Sequence, residues 1–308
     1  MANVSSQLQR GRAARVWRDP PEEDVRIMDS LVSTEWLANE MGASDLRIVD
    51  ATRHLPGTGR DAHAEYEAGH IPGAVFMDLA DLVDANAAID NTLPPAEKFA
   101  SRMQSLGLGD GSRIVIYDDS AVKTSARAWF MLKMFGAHDV AILDGGIAKW
   151  KAESRALKQG KETLRHRHFT AWSDDKNVRS KADMLGNLHS KAEQVVDARG
   201  AARWAGHEAD PRPNIASGHI PGSLNVPYTA LFNADGTFKD AAALASTFEA
   251  AGVDLAAPVV TSCGSGVTAC VVAFGMHLLG KDDVALYDGS WTEWGADPDT
   301  PKAIKPAA

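Results

Sequence analysis

The chain has 308 residues, 44% hydrophobic and 24% charged, the balance of a folded protein of about two domains rather than a disordered one. Its 32 basic and 41 acidic residues leave a net charge of −9, which argues against a general nucleic-acid binder, because phosphate backbones recruit basic surfaces. No apolar run approaches the roughly 20 residues of a membrane span, and two cysteines, Cys263 and Cys270, are too few for a secreted disulfide scaffold and lack zinc-ligand spacing.

Arg10, Arg12, Arg15 and Arg18 all precede the first acidic residue, in a stretch poor in large apolar groups. No apolar core of a secretory signal follows Met1, so residues 1–28 read as a flexible leader on a cytoplasmic protein; a transit peptide of the same composition would direct it to mitochondria.

Beyond the leader the chain repeats itself. The first half runs through Ile48-Val49-Asp50-Ala51 and Gly69-His70-Ile71-Pro72-Gly73. A helix over 96–106 follows, stopped by Gly107, then a strand over 113–117, a helix over 124–135 and a strand over 140–143. It closes on Asp144-Gly145-Gly146 and Trp150. The second half runs through Val195-Val196-Asp197-Ala198 and Gly218-His219-Ile220-Pro221-Gly222. It continues with a helix over 240–251, a strand over 258–262, an apolar helix over 268–279 stopped by Gly280, and a strand over 283–287. It closes on Asp288-Gly289-Ser290 and Trp294. The two GHIPG blocks lie 149 residues apart and the two DG blocks 144 apart. Short apolar strands alternating with helices predict an α/β fold: two similar domains, each a mainly parallel sheet with helices on both faces. The polar, aperiodic stretch 151–177 holds the connection. The predicted division is a first domain at 42–159, a linker at 160–188 and a second domain at 189–303.

Each Pro-Gly presets a type II turn, with glycine accepting positive φ. His70 and His219 beside those turns read as structural groups. Cys270, inside the apolar helix, reads as core.

Cys263 is different. It follows a buried strand and opens Cys263-Gly264-Ser265-Gly266-Val267-Thr268, a loop leading into a helix. Ligands of open α/β sheets bind beyond the carboxyl ends of strands. The loop amides and the helix N-terminus can there converge on an anion, favouring a thiolate. Counting back from the DG landmark, Asp119 stands at the matching place in the first half, so only one half carries the thiol. A cysteine phosphatase would need an arginine six residues on, where Ala269 stands. Arg199, Arg203 and Arg212, between the 195–198 strand and the second Pro-Gly turn, are the cations available to a substrate carboxylate.

The repeat, the two HIPG turns and this loop together resemble the two-domain rhodanese-like sulfurtransferases, over about residues 29 to 303. Members using thiosulfate carry basic residues in the loop; members using 3-mercaptopyruvate carry Cys-Gly-Ser-Gly-Val-Thr, as this chain does from Cys263 to Thr268. The resemblance implies that Cys263 accepts sulfane sulfur as a persulfide, releases pyruvate, and passes the sulfur to a thiol, such as thioredoxin or a small thiol, or to cyanide. It implies that Arg203 and Arg212 hold the donor, with Arg199 nearby. Ser265 and the backbone of Gly264, Gly266, Val267 and Thr268 would stabilise anionic sulfur. No metal or cofactor is implied, and no membrane or nucleic-acid partner. The alternatives in view are a thiosulfate:cyanide sulfurtransferase and a persulfide carrier module. One departure stands out: some relatives place a His and an Asp near the loop serine, and an ungapped alignment puts Asn91 and Ala80 there, with Asp78 and Asp81 flanking the second.

Overall fold

A computed structural model describes residues 28–173 and 175–305. The expected leader falls outside them, except for Met28, which is buried. The first half comprises β1 (Leu31–Val32), α1 (Thr34–Glu40), β2 (Leu46–Asp50), α2 (Ala62–Ala68), β3 (Ala74–Phe76), α3 (Ala96–Ser105), β4 (Arg113–Tyr117), α4 (Ser125–Met134), β5 (Val140–Leu143) and α5 (Gly146–Ala152). The second comprises β6 (Val178–Arg179), α6 (Lys181–Ser190), β7 (Gln194–Asp197), α7 (Ala201–Ala205), β8 (Leu224–Asn225), α8 (Ala241–Ala250), β9 (Val259–Ser262), α9 (Thr268–His277), β10 (Val284–Tyr287) and α10 (Ser290–Trp294).

Each half forms a five-stranded sheet with every pairing parallel, in the orders β1-β5-β4-β2-β3 and β6-β10-β9-β7-β8. The central strands are largely apolar and buried apart from Arg113 at the start of β4, as a sheet covered on both faces requires. One outer layer is built on Leu37, Ile147 and Trp150 in the first half. Met184, Trp291 and Trp294 build its equivalent in the second. The inner faces meet: α4 packs on α9, with Trp129 edge-on to Phe274 at 4.9 Å, and the apolar core is continuous across both halves.

The predicted elements fall within one or two residues of those observed. Gly107, Gly252 and Gly280 all take positive φ at the helix ends they were expected to close. The Pro-Gly turns form, with Ala74 N–H donating to Ile71 O (2.9 Å) and Ser223 N–H to Ile220 O (3.0 Å). His70 and His219 stack on Tyr66 and Trp204, each with both centroids 4.1 Å apart, and bond main-chain oxygens through Nδ1.

The domain bounds move outward. Leu31–Val32 pair with Ile142–Leu143, so the first sheet begins before residue 42. Val178–Arg179 pair with Leu286–Tyr287, and α6 buries Met184, so the segment from 178 belongs to the second domain rather than to a linker at 160–188. Two-residue edge strands are too short to show a period. The connecting chain is also partly anchored, with Phe169 buried against Phe99.

Candidate active site

The site forms at the carboxyl end of β9. Ser262 lies in register with Asp197 of β7, and Cys263 is the next residue. Its N–H donates to Ser290 Oγ (3.2 Å) and its carbonyl accepts from Trp291 N–H (2.9 Å). The Gly264 carbonyl accepts from Thr292 Oγ1 (2.6 Å), Thr292 N–H (2.9 Å) and Arg212 Nη1 (2.9 Å). Gly266 has φ +76°, and a Cβ there would lie 3.0 Å from Asp288 O and 3.1 Å from Arg127 Nη1, so only glycine fits without strain. Its N–H also donates to Ser290 Oγ (3.1 Å). Ser290 thus ties two loop amides with one hydroxyl while itself adopting φ +50°, a conformation costly for a residue with a side chain.

The loop keeps donors in reserve. The N–H groups of Gly264, Ser265, Val267 and Thr268 meet no acceptor among the described residues. They stand at the N-terminus of the ten-residue α9, where the helix dipole also favours negative charge. The Ser265 hydroxyl, half-buried, makes no hydrogen bond among the described residues.

Two of the three expected arginines converge on this loop. A Cβ on Gly264 would lie 3.4 Å from Arg212 Nη2 and 3.8 Å from Arg203 Nη2. Asp210 orients both, accepting from Arg203 Nη2 (2.6 Å), Arg212 Nε (2.8 Å) and Arg212 Nη2 (2.9 Å). Burial works against the Asp210 carboxylate, but the Arg212 and Arg203 hydrogen bonds prevail and hold its carboxyl well below the usual range. Two cations and one anion leave a net positive charge at the loop. Arg203 Nε is buried without an acceptor among the described residues. Arg199 lies elsewhere: Asp197 takes it bidentately (2.7 and 3.0 Å), it donates to Gly218 O, and it stacks over Trp291 at 4.4 Å. With both partners' side chains 3% exposed, this pair is buried at the strand end, a placement that suits a support of the strand.

Cys263 is 1% exposed and packs among core residues. The thiol expected to meet a ligand beyond the strand end is thus buried in this structure. Cys270 lies one helical turn into α9, donating Sγ–H to Gly266 O (3.2 Å), and burial pushes its thiol up to about 12. It is a protonated core residue at neutral pH.

The first half has a different loop. Asp50 pairs with Tyr117 as Asp197 pairs with Ser262, so the residue matching Cys263 is Asp118, not Asp119. The first loop is two residues longer, which shifted the count from the DG landmark. Asp119 pairs instead with Arg60 (2.7 Å). Asn91 accepts from Arg53 through its side chain and from Arg127 Nη2 (2.7 Å) through its carbonyl. Ala80 offers no side-chain proton donor or acceptor, so no His–Asp relay stands at these two positions.

Sequence reasoning missed Asp210, Ser290, Thr292, Asp288 and Arg127. The DG repeat marked Asp288 and Ser290, and a lone arginine in an apolar helix marked Arg127, but neither signal distinguishes packing from chemistry.

The rhodanese-like domain family matches this chain twice, at residues 33–153 and 180–297. The chain belongs to the rhodanese family. The human rhodanese relative named 3-mercaptopyruvate sulfurtransferase is 41% identical over 275 residues, spanning 87% of this chain and 93% of its own. The Escherichia coli K12 protein of that name is 40% identical over 271 residues, 88% of this chain and 96% of its own. A solved rhodanese-fold structure, SseA from Escherichia coli, has a TM-score of 0.78 at 38% identity and covers 85% of this chain and 98% of that one. Among the described residues no helix is long and apolar enough to cross a membrane.

Proposed function

We propose that this rhodanese is a 3-mercaptopyruvate sulfurtransferase working through a Cys263 persulfide. The observation that carries the reading is the pairing of an uncharged loop, Gly264 to Thr268, with Arg203 and Arg212 fixed beside it by Asp210. Thiosulfate carries charge next to the sulfur it transfers, and a cation-free loop serves it poorly. Mercaptopyruvate carries its charge on a carboxylate at the far end, where a guanidinium can grip it bidentately.

In this scheme Arg203 and Arg212 hold the donor's carboxylate and carbonyl. The Cys263 thiolate attacks the donor sulfur, forming an S–S bond. The C–S bond breaks, its electron pair passing to carbon, and the pyruvate enolate takes a proton from water. The hydrogen on the donor sulfur is then lost to solvent, leaving an anionic persulfide and balancing the proton taken by the enolate. Loop N–H groups stabilise the anionic sulfur before and after transfer. A thiol or cyanide then attacks the outer sulfur and regenerates Cys263. Thioredoxin, small thiols and cyanide are the acceptors proposed.

Without acceptor, the protein should release one pyruvate per chain and gain the mass of one sulfur atom, removable by cyanide. Continuous turnover without acceptor, or no mass gain, would sink the scheme. A higher kcat/KM on thiosulfate than on mercaptopyruvate would assign the other donor. Slow loading without pyruvate release would instead mark a carrier.

A further inference from the structure

We propose that Arg127, on α4 of the half without the cysteine, is a positioning residue for sulfur transfer: by gripping Gly266 and Asp288 across the domain boundary it sets the direction of the loop amides around Cys263. The inference rests on the reading of Cys263 as the sulfur acceptor and adds a second domain to that site.

Arg127 is 4% exposed within a mostly apolar helix. Its Nη1 lies 3.2 Å from the Gly266 carbonyl and 2.8 Å from Asp288 Oδ1, and its Nη2 donates to Asn91 O at 2.7 Å. The other Asp288 oxygen accepts Leu93 N–H from the first half (2.7 Å). Burial is the largest single influence on the Arg127 charge and opposes it, and Asp288 and Cys270 together more than offset it. Net stability is a poor reason for such a pair, since an apolar residue of similar volume often serves as well in a buried position.

Peptide geometry supplies a better reason. In a trans peptide the carbonyl and the N–H of the next residue point opposite ways. Holding Gly266 O on Arg127 therefore aims Val267 N–H away from Arg127. Holding Gly264 O on Arg212 and Thr292 likewise fixes Ser265 N–H. Both of these N–H groups belong to the set with no acceptor among the described residues. One is thus set from within the catalytic half and the other from across the boundary. Gly266 has no room to compensate, because Asp288 and Arg127 both crowd its Cα.

The test compares Arg127→Met and Arg127→Lys with the unaltered full chain. Steady-state pyruvate release with cyanide as acceptor gives kcat and KM, and the rate of Cys263 alkylation is compared at one fixed pH. The charged and titratable groups packed around the loop are Arg203, Arg212, Asp210, Arg127, Asp288 and Cys270. Arg127→Met should lower kcat by about 10- to 100-fold, the scale of a misdirected anion-binding donor. KM should stay within about two-fold, because Arg203 and Arg212 are untouched. Alkylation of Cys263 at one fixed pH should slow by roughly ten-fold as the loop donors lose their aim on the thiolate, and Arg127→Lys should recover part of both effects. An unchanged kcat and alkylation rate in folded Arg127→Met would overturn the proposal. If that variant does not fold, Asp288→Asn decides: it keeps an acceptor for Leu93 N–H but removes the carboxylate gripped by Arg127. A fall in its kcat supports the proposal, and normal kcat overturns it. Failure of the unaltered protein to release pyruvate would sink the sulfur-transfer reading alone, because the alkylation comparison still reads the role of Arg127.

Discussion

The two halves end their central strands in the same way and then do opposite things with the same geometry. After β4, Asp118 turns its carboxylate onto the N–H groups of Ser120 and Ser125 (2.8 Å each), filling the anion site at the start of α4 with the chain's own charge. After β9, Cys263 occupies that place, and four loop and helix N–H groups meet no acceptor among the described residues. A self-satisfied helix N-terminus is a structural cap; an unsatisfied one is a binding site. The difference between scaffold and proposed catalyst is one residue type and a loop shorter by two residues.

The largest test of that contrast is Cys263→Ser, which should reduce pyruvate release by at least about 10⁴-fold, while the buried hydroxyl lowers the melting temperature by only a few degrees. Retained turnover would erase the distinction between the halves. Next come Arg203→Ala and Arg212→Ala. Each removes charge-assisted hydrogen bonds worth about 2–3 kcal/mol, so kcat/KM should fall roughly 30- to 150-fold. A loss confined to one of the two would redraw the donor's orientation. Gly266→Ala forces a Cβ against Asp288 and should cost about 1–3 kcal/mol of strain, with kcat falling more than thermal stability. Asp118→Ala should do the reverse. It strands two buried N–H groups, costing about 1–2 kcal/mol and lowering the melting temperature by a few degrees, with kcat unaltered; a kcat loss there would show that the first loop takes part.

The smallest effect concerns pH. Asp210 has its carboxyl depressed in the folded protein, so its contribution to stability is complete above the ordinary carboxylate range near pH 4. That contribution is lost only as pH falls well below this range. The arginine clamp should therefore hold through mild acid, seen as a KM for mercaptopyruvate that stays flat from about pH 8 to about pH 5. A rise in KM within that window would mean that Asp210 does not anchor both guanidinium groups.

Much of this contrast could be read before any coordinates. Repeated Val-Asp-Ala, His-Ile-Pro-Gly and Asp-Gly blocks exposed two α/β units, because strand ends and tight turns demand particular residues. The Cys263 loop and the arginines at 203 and 212 were legible from their position beyond strand ends. Arg199 shares their position between strand and turn, and only the fold reveals that Asp197 at the strand end captures it. Asp118 was displaced by one position because loop length is not encoded in landmark spacing. Asp288 and Arg127 reach the loop through contacts between halves separated by more than a hundred residues, which no local pattern reports.

The continuous seam formed by α4 and α9 carries a practical consequence. Neither half has a finished exterior of its own: severed from its twin, the thiol-bearing half would bare Phe274 and its neighbours to water, while the other would bare Trp129. Such a fragment would seek a replacement partner, most readily another fragment like itself. Dissecting the molecule into modules would thus trade one folded chain for sticky dimers or aggregates, and the half that lacks the thiol earns its retention as a lining for the half that has it.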